Sequence, residues 1–190
     1  MFKAIVIGAS AGGMHTLKDL LKMLPANFEL PIIIVQHIAP SSDNYLVEFL
    51  NSHCKLNVKE ADEKEIIKKG FVYLSPPNYH TLVEDDLSLS LSAEEKVNYS
   101  RPSIDVLFIS ASDAYKNNLI GIVLTGANND GSKGLLEIKR NGGLTITQNP
   151  SEAESPIMPK SAAKLANPDY ILKISEIAKM LTEISSEQIN

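Results

Sequence analysis

Three short apolar runs constrain the fold more than any other feature of this sequence. Ala4 to Ile7, Ile32 to Gln36 and Ile120 to Leu124 are rich in Ile and Val, and each ends in a polar or glycine-bearing turn, while Leu144 to Gln148 reads as a further short strand. Runs of this length without polar alternation read as strands buried on both faces. Helical spacing lies between them. Leu17, Leu20, Leu21 and Leu24 repeat every three or four residues until Pro25 stops the pattern. Tyr45 to Leu50, Ile104 to Tyr115 and Ser132 to Arg140 read as further helices, the last ended by Asn141-Gly142-Gly143. Ile174, Ile177, Ala178, Leu181 and Ile184 place an apolar stripe on a closing helix. Strands alternating with helices predict an α/β fold, a three-layer α/β/α arrangement around a mostly parallel sheet.

The middle of the chain has a different pattern. Lys55 to Val58 is a candidate third strand, and Phe71 to Leu74 another. Leu87, Leu89 and Leu91 alternate with serines, the period of a half-exposed strand. With Thr81 to Glu84 and the Asp85-Asp86 connection they predict a hairpin, expected to add an antiparallel edge to the sheet. No repeat or linker divides the 190 residues, so one domain is expected over 1–190.

The net charge of −5 argues against a nucleic-acid partner, which would require a basic footprint. No apolar run approaches the roughly 20 residues of a membrane span. Cys54 is the only cysteine, so no disulfide can form within the chain. Met1 to Ala4 leads straight into a strand with no signal-peptide pattern, and a cytoplasmic protein is expected.

In parallel α/β sheets, reactive groups gather at the carboxyl ends of the strands. Three residues meet that rule. Ser10 lies in Gly8-Ala9-Ser10-Ala11-Gly12-Gly13, where the chain turns from strand to helix. The unpaired N–H groups at the start of that helix, near Ala11, Gly12 and Gly13, could stabilise an oxyanion. The same loop could equally supply a helix N-cap at Ser10 or cradle a phosphate. His37 follows the second strand and has the chemistry of a general base; it could instead be satisfied by a backbone partner. Asp130 follows the strand ending at Leu124, where it could orient an imidazole or cap the helix starting near Gly131. Each reading alone is ambiguous, but the three together fit a serine nucleophile, base and acid. The acidic residue that a dinucleotide site needs after the second strand is absent, since Gln36-His37 stands there. His15, His53 and His80 read as incidental, and no histidine spacing suggests a metal site.

The chain resembles the CheB-type protein-glutamate methylesterase domain from Ile5 to about Ala163. Ile5 to Gly13, Val35-Gln36-His37, Pro76 to His80, Arg101 to Phe108, Leu124-Thr125-Gly126, Asp130-Gly131, Gly142-Gly143 and Met158-Pro159 carry the likeness, in order. The resemblance implies a cofactor-independent serine hydrolase that removes methyl esters from glutamates of methylated chemoreceptors and deamidates certain receptor glutamines. It places the triad on Ser10, His37 and Asp130. The family's Gly-Met-Gly loop reads Gly126-Ala127-Asn128 here, which puts Ala127 beside the oxyanion and leaves the turn to an Asn able to adopt a left-handed conformation. Ala11 stands where threonine is frequent, and Lys160 where arginine is common. Arg101 and Tyr79 are further candidates to line the site. Chemotaxis members usually carry an N-terminal receiver domain; this sequence has none, and a natural stand-alone version is expected. The competing readings are a docking module in a signalling complex and, more distantly, a nucleotide binder.

Overall fold

The structure, a computed structural model, describes residues 1–37 and 45–187. In chain order the elements are β1 (Ala4–Ala9), α1 (Gly13–Met23), β2 (Ile32–Gln36), α2 (Tyr45–Asn51), β3 (Asn57–Glu60), β4 (Phe71–Leu74), β5 (His80–Val83), β6 (Leu89–Ser92), α3 (Ile104–Tyr115), β7 (Leu119–Val123), α4 (Ser132–Arg140), β8 (Leu144–Gln148), α5 (Ile157–Ala166), β9 (Tyr170–Leu172) and α6 (Ile174–Glu187). Seven strands form one sheet in the order β3-β4-β2-β1-β7-β8-β9. Every neighbouring pair in it is parallel.

Strand alternation divides the core into two layers. Ile5, Ile7, Ile32, Ile34, Ile120 and Ile122 face α1, α2 and α6. Ala4, Val6, Ile33, Val35, Leu119 and Val123 face α3, α4 and α5. All twelve are fully buried, as strands covered on both faces require.

The hairpin departs from expectation. β5 and β6 pair antiparallel, but in a sheet of their own that packs against α3 and leaves the main sheet parallel throughout. The physical reason is visible in the pattern. A strand with one apolar face can lie on a helix and leave its other face to solvent. Val83 and Leu89 supply that face, and the Val83 N–H donates to Ser110 Oγ of α3 at 3.1 Å. The third strand begins two residues later than expected, at Asn57.

Helix α5 and strand β9 carry no clear signal in the sequence. Pro159 lies in the first turn of α5, where a missing N–H costs nothing. β9 is a three-residue edge strand with exposed Tyr170 and Ile171.

The chain crosses from one half of the sheet to the other between β1 and β7. Parallel strands that diverge at such a point leave a crevice beyond their carboxyl ends. The loops after β1 and β7 open there, and His37 follows β2 at the same edge.

Candidate active site

Register brings three loops together. Ala9 pairs with Gln36 across β1 and β2, so the residues that follow, Ser10 and His37, are adjacent. The His37 N–H donates to Ala9 O at 3.0 Å, and the Ser10 N–H to Thr125 O at 2.9 Å. Gly126 runs tightly over the serine: a methyl group on it would lie 2.9 Å from Ser10 Cβ.

Ser10 Oγ lies 3.1 Å from His37 Nδ1, and His37 Nε2 lies 2.9 Å from Asp130 Oδ2. A carboxylate only accepts, so Nε2 carries the hydrogen and Nδ1 presents its lone pair to the serine. The Asp130 side chain is fully buried and that of His37 is 13% exposed.

Ser10 does not cap α1; Gly12 occupies that position at φ 76°, a left-handed backbone that favours glycine. The Gly13 N–H donates to Ser10 O at 2.8 Å, so it is already committed and offers nothing to an oxyanion. The Ala11, Gly12 and Ala127 amides have no acceptor among the described residues. Ala11 O is tied to Thr125 Oγ1 at 2.9 Å, which fixes the peptide carrying the Gly12 N–H. Gln36 Nε2 donates to Ser10 O at 2.9 Å and to His37 O at 3.0 Å, stitching the two loops together. A side chain at position 13 would overlap Gln36 Oε1, which explains the second glycine.

Asp130 does not cap its own helix either. Gly131 precedes α4, and Asp130 reaches across to the start of α3. Its Oδ2 accepts the Ile104 N–H at 2.7 Å; its Oδ1 accepts the Asp105 N–H at 3.1 Å and the Ser103 hydroxyl at 2.9 Å. Asn98 Nδ2 adds a bond at 2.9 Å. Burial pushes this carboxyl up, but bonds from His37, Asn98 and the two helix amides outweigh it and hold it below the usual carboxylate range. The positive end of the α3 dipole favours the same ionised state. Neighbouring Asp105 is pushed up by burial, only partly offset by the Gly134 N–H.

Three contributors to this arrangement were given no role by the reading of the sequence. Ser103 stands in the motif-bearing run from Arg101 to Phe108, without a role until α3 is seen to face the acid. Asn98 comes from the turn between Val97 and Ser100 and bridges Asp130 and Asp105. His80, read as incidental, is buried; its Nδ1 accepts the Ser103 N–H at 3.1 Å and its Nε2 donates to Glu95 O at 3.0 Å. Arg101 is used differently from expectation. Its Nη1 donates to Ala93 O at 2.6 Å and Glu94 O at 2.8 Å, anchoring the strap that carries Asn98. Tyr79 is 44% exposed ahead of β5. Asn128 keeps a negative φ, so the loop turns without the left-handed residue expected there. Among the described residues no cluster of His, Cys, Asp or Glu could hold a metal ion, and no helix is long and apolar enough to cross a membrane.

The family model described as CheB methylesterase matches residues 5–181. The chain belongs to the CheB methylesterase family. A Leptospira interrogans protein named putative protein-glutamate methylesterase/protein-glutamine glutaminase is 49% identical over 188 residues, covering 99% of this chain and 97% of that protein. A Borreliella burgdorferi protein named probable protein-glutamate methylesterase is 40% identical over 186 residues; the chain spans 49% of its length. The crystal structure of the Thermotoga maritima CheB methylesterase catalytic domain superposes with a TM-score of 0.92 at 35% identity, covering 97% of this chain and 99% of that one.

Proposed function

We propose that this CheB methylesterase hydrolyses γ-methyl esters of glutamates on methylated chemoreceptors, and the corresponding glutamine amides, through Ser10, His37 and Asp130. The hydrogen-bonded relay from Ser10 Oγ through His37 to Asp130 carries the proposal. His37 Nδ1 takes the Ser10 proton as Oγ attacks the ester carbonyl. The uncommitted amides of Ala11, Gly12 and Ala127 are the candidates to receive the oxyanion, a contribution of the kind worth on the order of 10²–10³ in turnover per donor. The Nδ1 proton passes to the departing methoxide, methanol leaves, and an acyl-enzyme remains on Ser10. Water, deprotonated by the same nitrogen, releases the glutamate carboxylate. For a glutamine, ammonia replaces methanol. Asp130 holds the Nε2–H throughout and stabilises the imidazolium.

The test is methanol release from methylated receptor fragments. Wild type releases methanol, while Ser10→Ala and His37→Ala, folded by circular dichroism, lose nearly all of it. Release that persists in Ser10→Ala rejects the nucleophile; a folded wild type that releases none favours the docking module.

A further inference from the structure

His37 Nδ1 has a second neighbour. Asn128 Nδ2 lies 3.3 Å from it, while Ser10 Oγ lies at 3.1 Å. The orientation of this amide follows from its other bond. The Asp130 N–H donates to Asn128 Oδ1 at 3.0 Å, a contact only the oxygen can make, so the NH₂ end faces the ring. Two donors therefore converge on one lone pair, since Nε2 and its hydrogen are committed to Asp130.

We infer that Asn128 is a positioning residue that holds His37 in its resting, proton-free state at Nδ1 and so restrains proton transfer from Ser10. The inference rests on the esterase reading of this site. When Ser10 attacks, its proton arrives on Nδ1. The new N–H then faces the Asn128 N–H, donor against donor, and the Asn128 bond is lost. An interaction made in the ground state and broken in the transition state slows the chemical step. Removing it raises kcat and leaves KM nearly unchanged.

The experiment compares Asn128→Gly, Asn128→Ala and Asn128→Asp with wild type in methanol release and in labelling by a fluorophosphonate. In the labelling reaction Ser10 Oγ bonds to phosphorus, fluoride departs, and the serine proton goes to His37, so no receptor is needed. A hydrogen bond of ordinary net strength predicts a roughly 3- to 10-fold rise in kcat and labelling rate for the Gly and Ala variants. Asn128→Asp keeps the side-chain bond to the Asp130 N–H but presents an acceptor to Nδ1. Nδ1 then holds a hydrogen of its own, and both rates fall more than about 10-fold. A purely structural turn at Asn128 gives the opposite order, with Asp near wild type and Gly slower; that result overturns the inference. Equal rates in wild type and the Gly and Ala variants overturn it too. Ser10→Ala separates the two levels: if labelling survives in that variant, the esterase reading itself fails, whereas a dead Ser10→Ala beside unaccelerated Gly and Ala variants defeats only the role of Asn128.

Discussion

Asp130 performs two jobs with one carboxylate. It caps α3 from outside the helix and holds the His37 Nε2–H, so its ionisation links stability to the relay. Its folded carboxyl lies below the ordinary value because bonds to the charged form outweigh burial. The stabilisation is therefore complete above the unfolded value, near pH 3.9, and is lost as the pH falls through the lower folded value. Asn in its place turns an NH₂ toward the ring or toward the helix amides, and either contact fails. We expect Asp130→Asn to cost about 2 kcal/mol at neutral pH, with the difference from wild type vanishing in acid; urea titrations at several pH values check this. Its kcat falls on the order of 10³–10⁴-fold, because the amide favours the tautomer that leaves Ser10 without a base. A neutral-pH stability equal to wild type contradicts the capping role.

At the scale of elements, the hairpin and its following strap explain why the acid is so well held. β5 carries His80 and rests on α3; His80 then fixes Ser103, and the strap from residue 93 to 100 delivers Asn98. His80→Ala leaves the Ser103 N–H and Glu95 O without their partner and loosens Asn98 and Ser103 around Asp130. We expect kcat to fall about 10-fold, as for other outer groups that orient a reactive ligand, with stability lower by 1–3 kcal/mol and with Ser10 still labelled by a fluorophosphonate. Unchanged kcat in a destabilised variant shows His80 to be purely structural. The hairpin itself was legible in the sequence, but not where it packs or what His80 holds. The alternation of Leu87, Leu89 and Leu91 announced a hairpin, but a period of two says nothing about whether the apolar face meets a sheet or a helix. His80 looked incidental because its partners, Ser103 and Glu95, are distant in the chain. Asp130 and Gly131 also show how a local rule misleads. Asp before a helix suggests a cap on that helix, yet the carboxylate serves the N-terminus of α3, which only the tertiary fold brings near.

Over the whole molecule, the parallel sheet and the position of the site follow from the buried strands. The runs at β1, β2 and β7 required cover on both faces, and the split between β1 and β7 put the Ser10 and Asp130 loops at one crevice. Ser10, His37 and Asp130 could be grouped from the sequence because each follows a different buried strand. What the pattern could not supply were distances: which amides near Ser10 remain available, and how close Asn128 comes to His37. Gly13 shows the limit, since its place beside Ser10 suggested an oxyanion donor until its N–H proved bound to Ser10 O. α5 and β9 were hidden for simpler reasons, a proline in a first turn and an edge strand too short to show a period. The central claim, that the whole assembly serves covalent catalysis at Ser10, is tested most directly by mixing the protein with a methylated receptor peptide, quenching in acid and mapping the adduct by mass spectrometry. The account predicts an acyl group on the peptide containing Ser10, absent from Ser10→Ala and formed far more slowly in His37→Ala. Methanol release with no adduct at Ser10, or an adduct on another residue, contradicts it.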